Sequence, residues 1–234
     1  MTPYYSDASV TLYHGDCREV LPNIATKSVD LLLTDPPYGI GYVSGRSQHG
    51  PIAGDDEATD LTPHLRLALR ALRINRHFYV FGPLDIANLT VGATTELIWD
   101  KGRCPAGGNL SIPWGGSHER IAFGVWNPFP SQRGVGVHTV RLRRGSVLSV
   151  ATGNTGRGAQ THPTEKPVML LRELIEASSR MGELVLDPFA GAGSTLIAAV
   201  QEGRRAIGIE IEEKYCEVIA RRLSQPSLDF GGAA

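Results

Sequence analysis

The sequence predicts an α/β fold with a mainly parallel sheet. Two observations carry that expectation. Short apolar runs of strand length alternate with segments whose apolar residues recur at helical spacing, the pattern of strands joined by helical crossovers. One of those runs, Leu184–Leu186, leads directly into a glycine loop and a helix start, Asp187-Pro188-Phe189-Ala190-Gly191-Ala192-Gly193-Ser194-Thr195. Strand, glycine loop and helix in that order make a site where an open parallel sheet receives a ligand.

Along the chain the expected strands are Val10–Tyr13, Val29–Thr34, Phe78–Phe81, Glu96–Trp99, Arg120–Val125, Leu184–Leu186 and Ala206–Ile209. Each is an apolar run too short for a buried helix. Thr62-Pro63 opens the first helix, with proline where no amide is needed, and Leu65, Leu69 and Leu72 follow at helical spacing. Lys166-Pro167 opens a second, carrying Leu170, Leu171, Leu174 and Ile175. A third follows Gly193 with Ile197, Ala198 and Val200, and a fourth carries Tyr215, Val218, Ile219 and Leu223. Residues 1–225 therefore form one expected domain. Within it, 127–161 is a small inserted region, with a short β-like run at Val147–Val150, too short for a core of its own. The tail 226–234 is expected to be disordered.

Composition narrows the classes. The 234 residues are 41% hydrophobic and 20% charged, ordinary values for a soluble protein with a core. The net charge of -1 announces no nucleic-acid binder, so any such function needs locally concentrated basic residues. Cys17, Cys104 and Cys216 are far apart, odd in number and free of CxxC spacing, which argues against a disulfide framework or a zinc site. No metal is expected. Met1–Val10 lacks an apolar signal core, and no apolar run approaches the ~20 residues of a membrane span. A cytoplasmic protein without a membrane partner is the expectation.

The second half of the chain has the character of a cofactor site. Glycines let a ligand approach the backbone, and the helix start offers free N–H groups. The strand Arg205–Ile209 ends at Glu210, roughly 20 positions after Asp187, where a carboxylate can accept both hydroxyls of a ribose. No lysine follows Gly193, so this is no P-loop; the sixth position of a GxGxxG would be Leu196. A nicotinamide dinucleotide site and a merely structural turn both remain compatible with this half alone.

The first half has a different motif. Val29–Thr34 runs into Asp35-Pro36-Pro37-Tyr38-Gly39. Two prolines fix the backbone and remove two amide donors. The Asp35 side chain and the Pro36 carbonyl then offer two acceptors at one point, which suits an –NH2 group, and Tyr38 offers a flat face for a base. An exocyclic amine is a poor nucleophile because its lone pair is delocalised into the ring. Two acceptors on its hydrogens localise that pair for attack on a sulfonium methyl. A rigid strand-end turn with a surface tyrosine is the bland alternative.

Taken together, these motifs resemble the β-type DNA amino-methyltransferases, the permuted class in which the catalytic motif precedes the cofactor motif. Asp35–Tyr38 matches the catalytic motif and Asp187–Thr195 the cofactor loop. His162-Pro163-Thr164-Glu165-Lys166-Pro167 matches the block ahead of that loop. Trp99-Asp100-Lys101-Gly102 and His118-Glu119 match elements between the two halves, and His14-Gly15-Asp16-Cys17 matches one ahead of the catalytic strand. The resemblance spans roughly Val10 to Leu223.

It implies a Rossmann-like methyltransferase fold and S-adenosylmethionine as cofactor. Asp16 would bond the adenine amine of the cofactor, with the Cys17 backbone against the ring. Glu210 would hold the ribose hydroxyls. Asp187, Pro188, Phe189, Ala190, Gly191, Gly193 and Thr195 would line the methionine moiety, and Thr164 and Lys166 would reach its carboxylate. Asp35, Pro36, Pro37 and Tyr38 would hold a flipped base. The amine would displace the methyl directly, without a cysteine nucleophile. Asp at the first catalytic position favours adenine N6 over cytosine N4, which stays the alternative; a nicotinamide-dependent oxidoreductase and an inactive DNA-binding relative are more distant ones.

DNA is the implied partner, in the setting of restriction–modification. The segment 126–162 holds Arg133, Arg141, Arg143, Arg144 and Arg157 without one acidic residue, where the class places target recognition. Arg46 lies in a glycine-rich stretch, Gly39–Asp56, expected to lie over the base or DNA. The recognition segment is short for the class, so either the recognised site is short or a second copy helps, which makes a homodimer one expected arrangement. Trp99 and Cys17 fit core packing equally well, His118 and His162 structural hydrogen bonding, and Asp100 and Glu119 ordinary pairing with Lys101 and Arg120.

Overall fold

The computed structural model describes residues 1–37, 60–86, 88–90, 92–102, 115–129, 144–151 and 165–225. One nine-stranded sheet organises them, in the order β1-β2-β9-β8-β3-β4-β6-β5-β7. The strands are β1 (Tyr5–Ser6), β2 (Val10–His14), β3 (Val29–Thr34), β4 (Leu72–Phe81), β5 (Thr94–Asp100), β6 (His118–Val125), β7 (Val147–Ser149), β8 (Leu184–Asp187) and β9 (Arg205–Glu210). The five central strands, β2-β9-β8-β3-β4, are mutually parallel. β6 runs antiparallel to both β4 and β5. The expected mainly parallel α/β fold is what the chain adopts.

Burial follows from this order. Every residue of β3 is buried, as expected of a strand covered on both faces. Side chains divide into two layers, alternating along the strands except at the irregularity of β3 between Val29 and Leu31. Leu31, Leu33, Val185 and Ala206 face α3 (Val168–Ser178), α4 (Ser194–Gln201) and α5 (Glu213–Ser224). Val29, Leu32, Leu186 and Ile209 face α1 (Cys17–Val20) and α2 (Thr62–Ala71). The crossovers β3-α2-β4 and β8-α4-β9 run outward in opposite directions from the β3–β8 pair. Helices therefore cover opposite faces, and a crevice opens beyond the carboxyl ends of β3 and β8.

The structure adds elements that apolar patterning does not announce. β1 is only a two-residue edge strand, and α1 is a single turn capped by the Asp16 side chain, which accepts from Arg18 N. Leu72, expected on the first helix, is the first residue of β4. That strand begins six residues before the expected Phe78, across the polar stretch Leu72–His77. Asn75 has φ 63, and the register against β3 shifts between Val29 and Leu31. The inserted region 127–161 is described only at 127–129 and 144–151, and in the second of these β7 pairs parallel with β5. The tail 226–234 and the stretch Gly39–Asp56 lie outside the described residues, as does Cys104.

A buried ion-pair network closes the sheet at the end opposite the crevice. Asp30, only 2% exposed, sits in the otherwise apolar β3. It accepts from Arg73, pairs with Arg76 Nη2 at 2.9 Å and takes the Leu184 amide at 3.0 Å. Arg76 also pairs with Glu183 at 2.7 Å. One carboxylate thus ties together the starts of β3, β4 and β8. Removing it strands Arg76 without that partner, so Asp30→Ala should cost about 3 kcal/mol in urea unfolding; a loss within the ~0.5 kcal/mol of ordinary surface changes would show that the network is incidental.

Candidate active site

The topology brings carboxylates from strands far apart in sequence to one edge. Asp16 follows β2, Glu210 ends β9, Asp187 ends β8 and Asp35 follows β3. Because β6 is antiparallel, its beginning reaches the same edge and delivers Glu119. β5 ends there as well, followed by Lys101.

The glycine loop is built for close approach. Ala190 N donates to Ile209 O at 2.9 Å, and Gly193 N to Ala190 O at 2.8 Å, which folds the loop against β9. Gly193 caps α4 with φ 84, and a Cβ there would stand 2.8 Å from Ile219 Cγ1. Gly191 has φ 51, and a Cβ on it would meet nothing within 4 Å. Gly193 therefore allows tight helix packing, and Gly191 leaves open space over the turn. Pro188, Ala190 and Thr195 are buried in the loop's base, with Phe189 half-buried.

Asp187 is held from several sides. Thr34 Oγ1 donates to its Oδ1 at 2.8 Å, as does the Phe189 amide at 3.1 Å. Burial pushes its carboxyl up to about 6, against the lowering effect of the Thr195 and Thr34 hydroxyls. Glu210 accepts from the Gly191 amide at 2.7 Å and from the Glu212 amide at 2.8 Å. Burial pushes it up to about 7, and Glu212 and Asp187 add to the rise. A carboxylate has about four acceptor positions, so two backbone donors leave capacity for hydroxyls.

Asp16 is anchored differently. Both of its oxygens take Arg18, and that bond holds its carboxyl below the ordinary value. Cys17 is buried, which pushes its thiol up to about 11, and Cys216 reaches about 12 for the same reason. Neither supplies a thiolate at neutral pH.

Lys166 is the unexpected member. Its ammonium lies 2.8 Å from Asp35 Oδ2 and 3.1 Å from Glu119 Oε2. Burial alone would depress its pKa, but Asp35 and Glu119 outweigh that and raise it. The sequence resemblance points Lys166 at a cofactor carboxylate, and local charge points Glu119 at Lys101 and Arg120. Glu119 does pair with Lys101, at 2.6 Å, while Arg120 turns to Glu96. His64 went unnoticed: its ring centroid is 6.1 Å from that of Phe189, and its Nδ1 has no hydrogen-bond partner among the described residues. Trp99 packs in the core and donates from Nε1 to Val150 O at 2.7 Å. Arg144 pairs with Glu173 and Glu176 on α3. Tyr38, Thr164, His162, Arg46, Arg133, Arg141, Arg143 and Arg157 lie outside the described residues. Among the described residues there is no group of metal ligands and no helix long and apolar enough to cross a membrane.

Comparison with known proteins decides the family. The chain is 32% identical over 222 residues to a putative methylase, YubD, of Escherichia coli (strain K12), covering 94% of this chain and 93% of that one. A family model described as DNA methylase, for N6/N4 methyltransferases, matches residues 123–221. The chain belongs to the N6/N4 DNA methyltransferase family. The type II methyltransferase M2.DpnII of Streptococcus pneumoniae is 29% identical over 252 residues, with 94% and 92% of the two chains covered. A putative DNA modification methylase from Thermus thermophilus, solved in complex with S-adenosyl-L-methionine, has a TM-score of 0.65 at 25% identity, covering 93% of this chain and 95% of that one.

The enzyme is thus a DNA methyltransferase that uses S-adenosylmethionine. Its own residues fit that cofactor: the space over Gly191 and the spare acceptor capacity of Glu210 lie side by side. Two pH effects of opposite sign follow. In the ligand-free protein the stability contributed by Asp187 and Glu210 is full below about pH 4, where both carboxyls are protonated folded or unfolded, and is lost as pH rises through about 6 and about 7. The expected contact of Glu210 with ribose hydroxyls would instead call for an ionised carboxylate. Affinity for S-adenosylhomocysteine should therefore weaken severalfold as pH falls through about 7 in calorimetric titrations. Glu210→Gln should bind more weakly and flatten that profile; an unchanged profile would remove Glu210 from the ribose site.

Proposed function

We propose that the enzyme methylates the N6 amine of adenine in DNA by direct displacement, after the base is flipped out of the stack. The observation that carries this reading is the position of Asp35. It follows β3 at the switch point, next to the Asp187 end of β8 and ahead of two prolines. A base amine presented there lies at the mouth of the cofactor crevice. The bound cofactor supplies an electrophilic methyl on a sulfonium.

This chain's residues do the rest. Asp35 and the Pro36 carbonyl accept the two amine hydrogens and direct the lone pair at the methyl carbon. As the nitrogen–carbon bond forms and the carbon–sulfur bond breaks, positive charge moves onto the base nitrogen, and its surplus proton leaves to Asp35 or water. The raised thiol values of Cys17 and Cys216 agree with a route that needs no cysteine nucleophile. Tyr38 is proposed as the stacking platform. Asp16 and Cys17 are proposed at the cofactor adenine, Glu210 at the ribose, and Asp187 with the 188–195 loop at the methionine moiety.

Aspartate in the first catalytic position is what favours adenine; cytosine N4 shares the same site design. Enzyme-treated DNA digested to nucleosides separates them by mass and retention. N6-methyladenine is the expected product, and N4-methylcytosine would overturn the assignment. Asp35→Ala should lower kcat by at least ~100-fold without preventing cofactor binding.

DNA binding is proposed through Arg46, Arg133, Arg141, Arg143, Arg144 and Arg157 in the region 127–161 and the 39–56 stretch. For Arg144 this requires exchanging Glu173 and Glu176 for phosphates. Arg143→Ala combined with Arg144→Ala should weaken DNA binding. It should also reduce the slope of log K against log salt by about 1 for each phosphate no longer neutralised. An unchanged slope would clear both residues of that role.

A further inference from the structure

Four charged groups run in single file away from the proposed base site. Asp35 Oδ2 meets Lys166 Nζ at 2.8 Å, Lys166 Nζ faces Glu119 Oε2 at 3.1 Å as an ion pair without hydrogen-bond alignment, and Glu119 Oε1 meets Lys101 Nζ at 2.6 Å. Charges alternate along the row. They come from the end of β3, the approach to α3, the start of β6 and the end of β5. Lys166 is only 8% exposed, so its charge is removed from most of its water, and these two carboxylates counter it.

The backbone around Lys166 is fixed as well. Pro167 restricts the residue before it to extended conformations, which keeps Lys166 out of α3. Glu165 is tied on the other side, accepting from Ser194 Oγ at 2.9 Å and pairing with Arg222 at 2.8 Å. The Phe81 ring lies beneath the ammonium, 5.2 Å from centroid to Nζ. The flexible four-carbon stem remains to be oriented, and two opposed carboxylates bear on its ammonium.

We propose that Glu119 is a positioning residue for methyl transfer: anchored by Lys101, it holds Lys166 against Oδ2 of Asp35 and so fixes the orientation of the carboxylate that receives the base amine. The proposal rests on the Asp35 amine-site reading. It gives Lys166 a task distinct from a clamp on the cofactor carboxylate, and it gives β6 a share in the catalytic geometry. Displacement requires the amine lone pair to be aligned with the methyl carbon, and misplacement by about 1 Å can cost ~100-fold in rate. A lysine is a point charge on a flexible stem, so a second carboxylate on its ammonium narrows where that charge sits against Asp35.

The test is Glu119→Gln, which keeps the shape and removes the charge. Expected is a 10- to 100-fold fall in kcat, with the S-adenosylmethionine KM and the S-adenosylhomocysteine Kd within about twofold of wild type. Glu119→Gln with Lys166→Met should be no slower than Lys166→Met alone, because both remove one device. Wild-type kcat in Glu119→Gln, or a loss expressed in cofactor affinity instead, overturns the proposal. Lys101→Gln serves where Glu119→Gln fails to fold: a lower kcat at unchanged KM supports the device, and an unchanged kcat overturns it. A crystal structure of Glu119→Gln supplies a readout independent of substrate. Lys166 Nζ more than about 4 Å from Asp35 supports the device, and an unmoved pair overturns it. Failure of wild-type enzyme to methylate DNA would instead refute the reading beneath, and the structural readout would still decide the role of Glu119.

Discussion

The pairing of β8 with β3 is the interaction on which the rest of the molecule depends. Leu31 lies opposite Val185 and Leu32 opposite Leu186, and beyond them Thr34 donates across the gap to Asp187. These residues are more than 150 positions apart, so one strand pair joins the two halves of the chain. At this pair the crossovers turn in opposite directions, which opens the crevice between the loops that follow β3 and β8. Asp30 secures the far end of the same pair through the Leu184 amide. A polar clasp at each end and apolar packing between them fix the register, and the register places Asp35 beside the glycine loop.

The crevice gathers acids, and the protein manages their repulsion by different means. Asp187 and Glu210 are buried among donors, with their carboxyls pushed up to about 6 and about 7. Asp16 is neutralised by an exposed arginine. Asp35 and Glu119 share the ammonium of Lys166, whose attraction, with that of Lys101, outweighs burial and keeps the Glu119 carboxyl below its ordinary value. A site that handles a sulfonium benefits from nearby negative charge, and each acid is held so that the empty fold tolerates it.

Much of this was legible because it rests on short-range patterns. The apolar runs of β3, β8 and β9 are continuous, and the proline and glycine signals at Thr62-Pro63 and Gly193 mark true helix starts. Asp35, Asp187 and Glu210 each end or follow a strand, so a strand-by-strand reading was enough to put them at one edge. The first half of β4 was hidden because Arg73, Asn75 and Arg76 make a strand whose polarity is explained by partners elsewhere in the chain, Asp30 and Glu183 for the arginines and Asn127 for Asn75. Glu119 was hidden for a topological reason. Its neighbours Lys101 and Arg120 suggested surface pairing, and nothing local tells that β6 runs antiparallel and begins where the parallel strands end.

The strand order also bears on how the enzyme emerges from the ribosome. β2 and β3 are made early, but β9 and β8 lie between them in the finished sheet and are made last. At about 4.8 Å per strand, the nascent sheet has a gap two strands wide through its middle. Until the final segment arrives, the inner edges of β2 and β3 expose unpaired backbone, a template for mispairing with other chains. The centre of the sheet is therefore inserted only after its flanking strands have been made, and the part of the cofactor pocket that β8 and β9 supply comes into being only with that insertion.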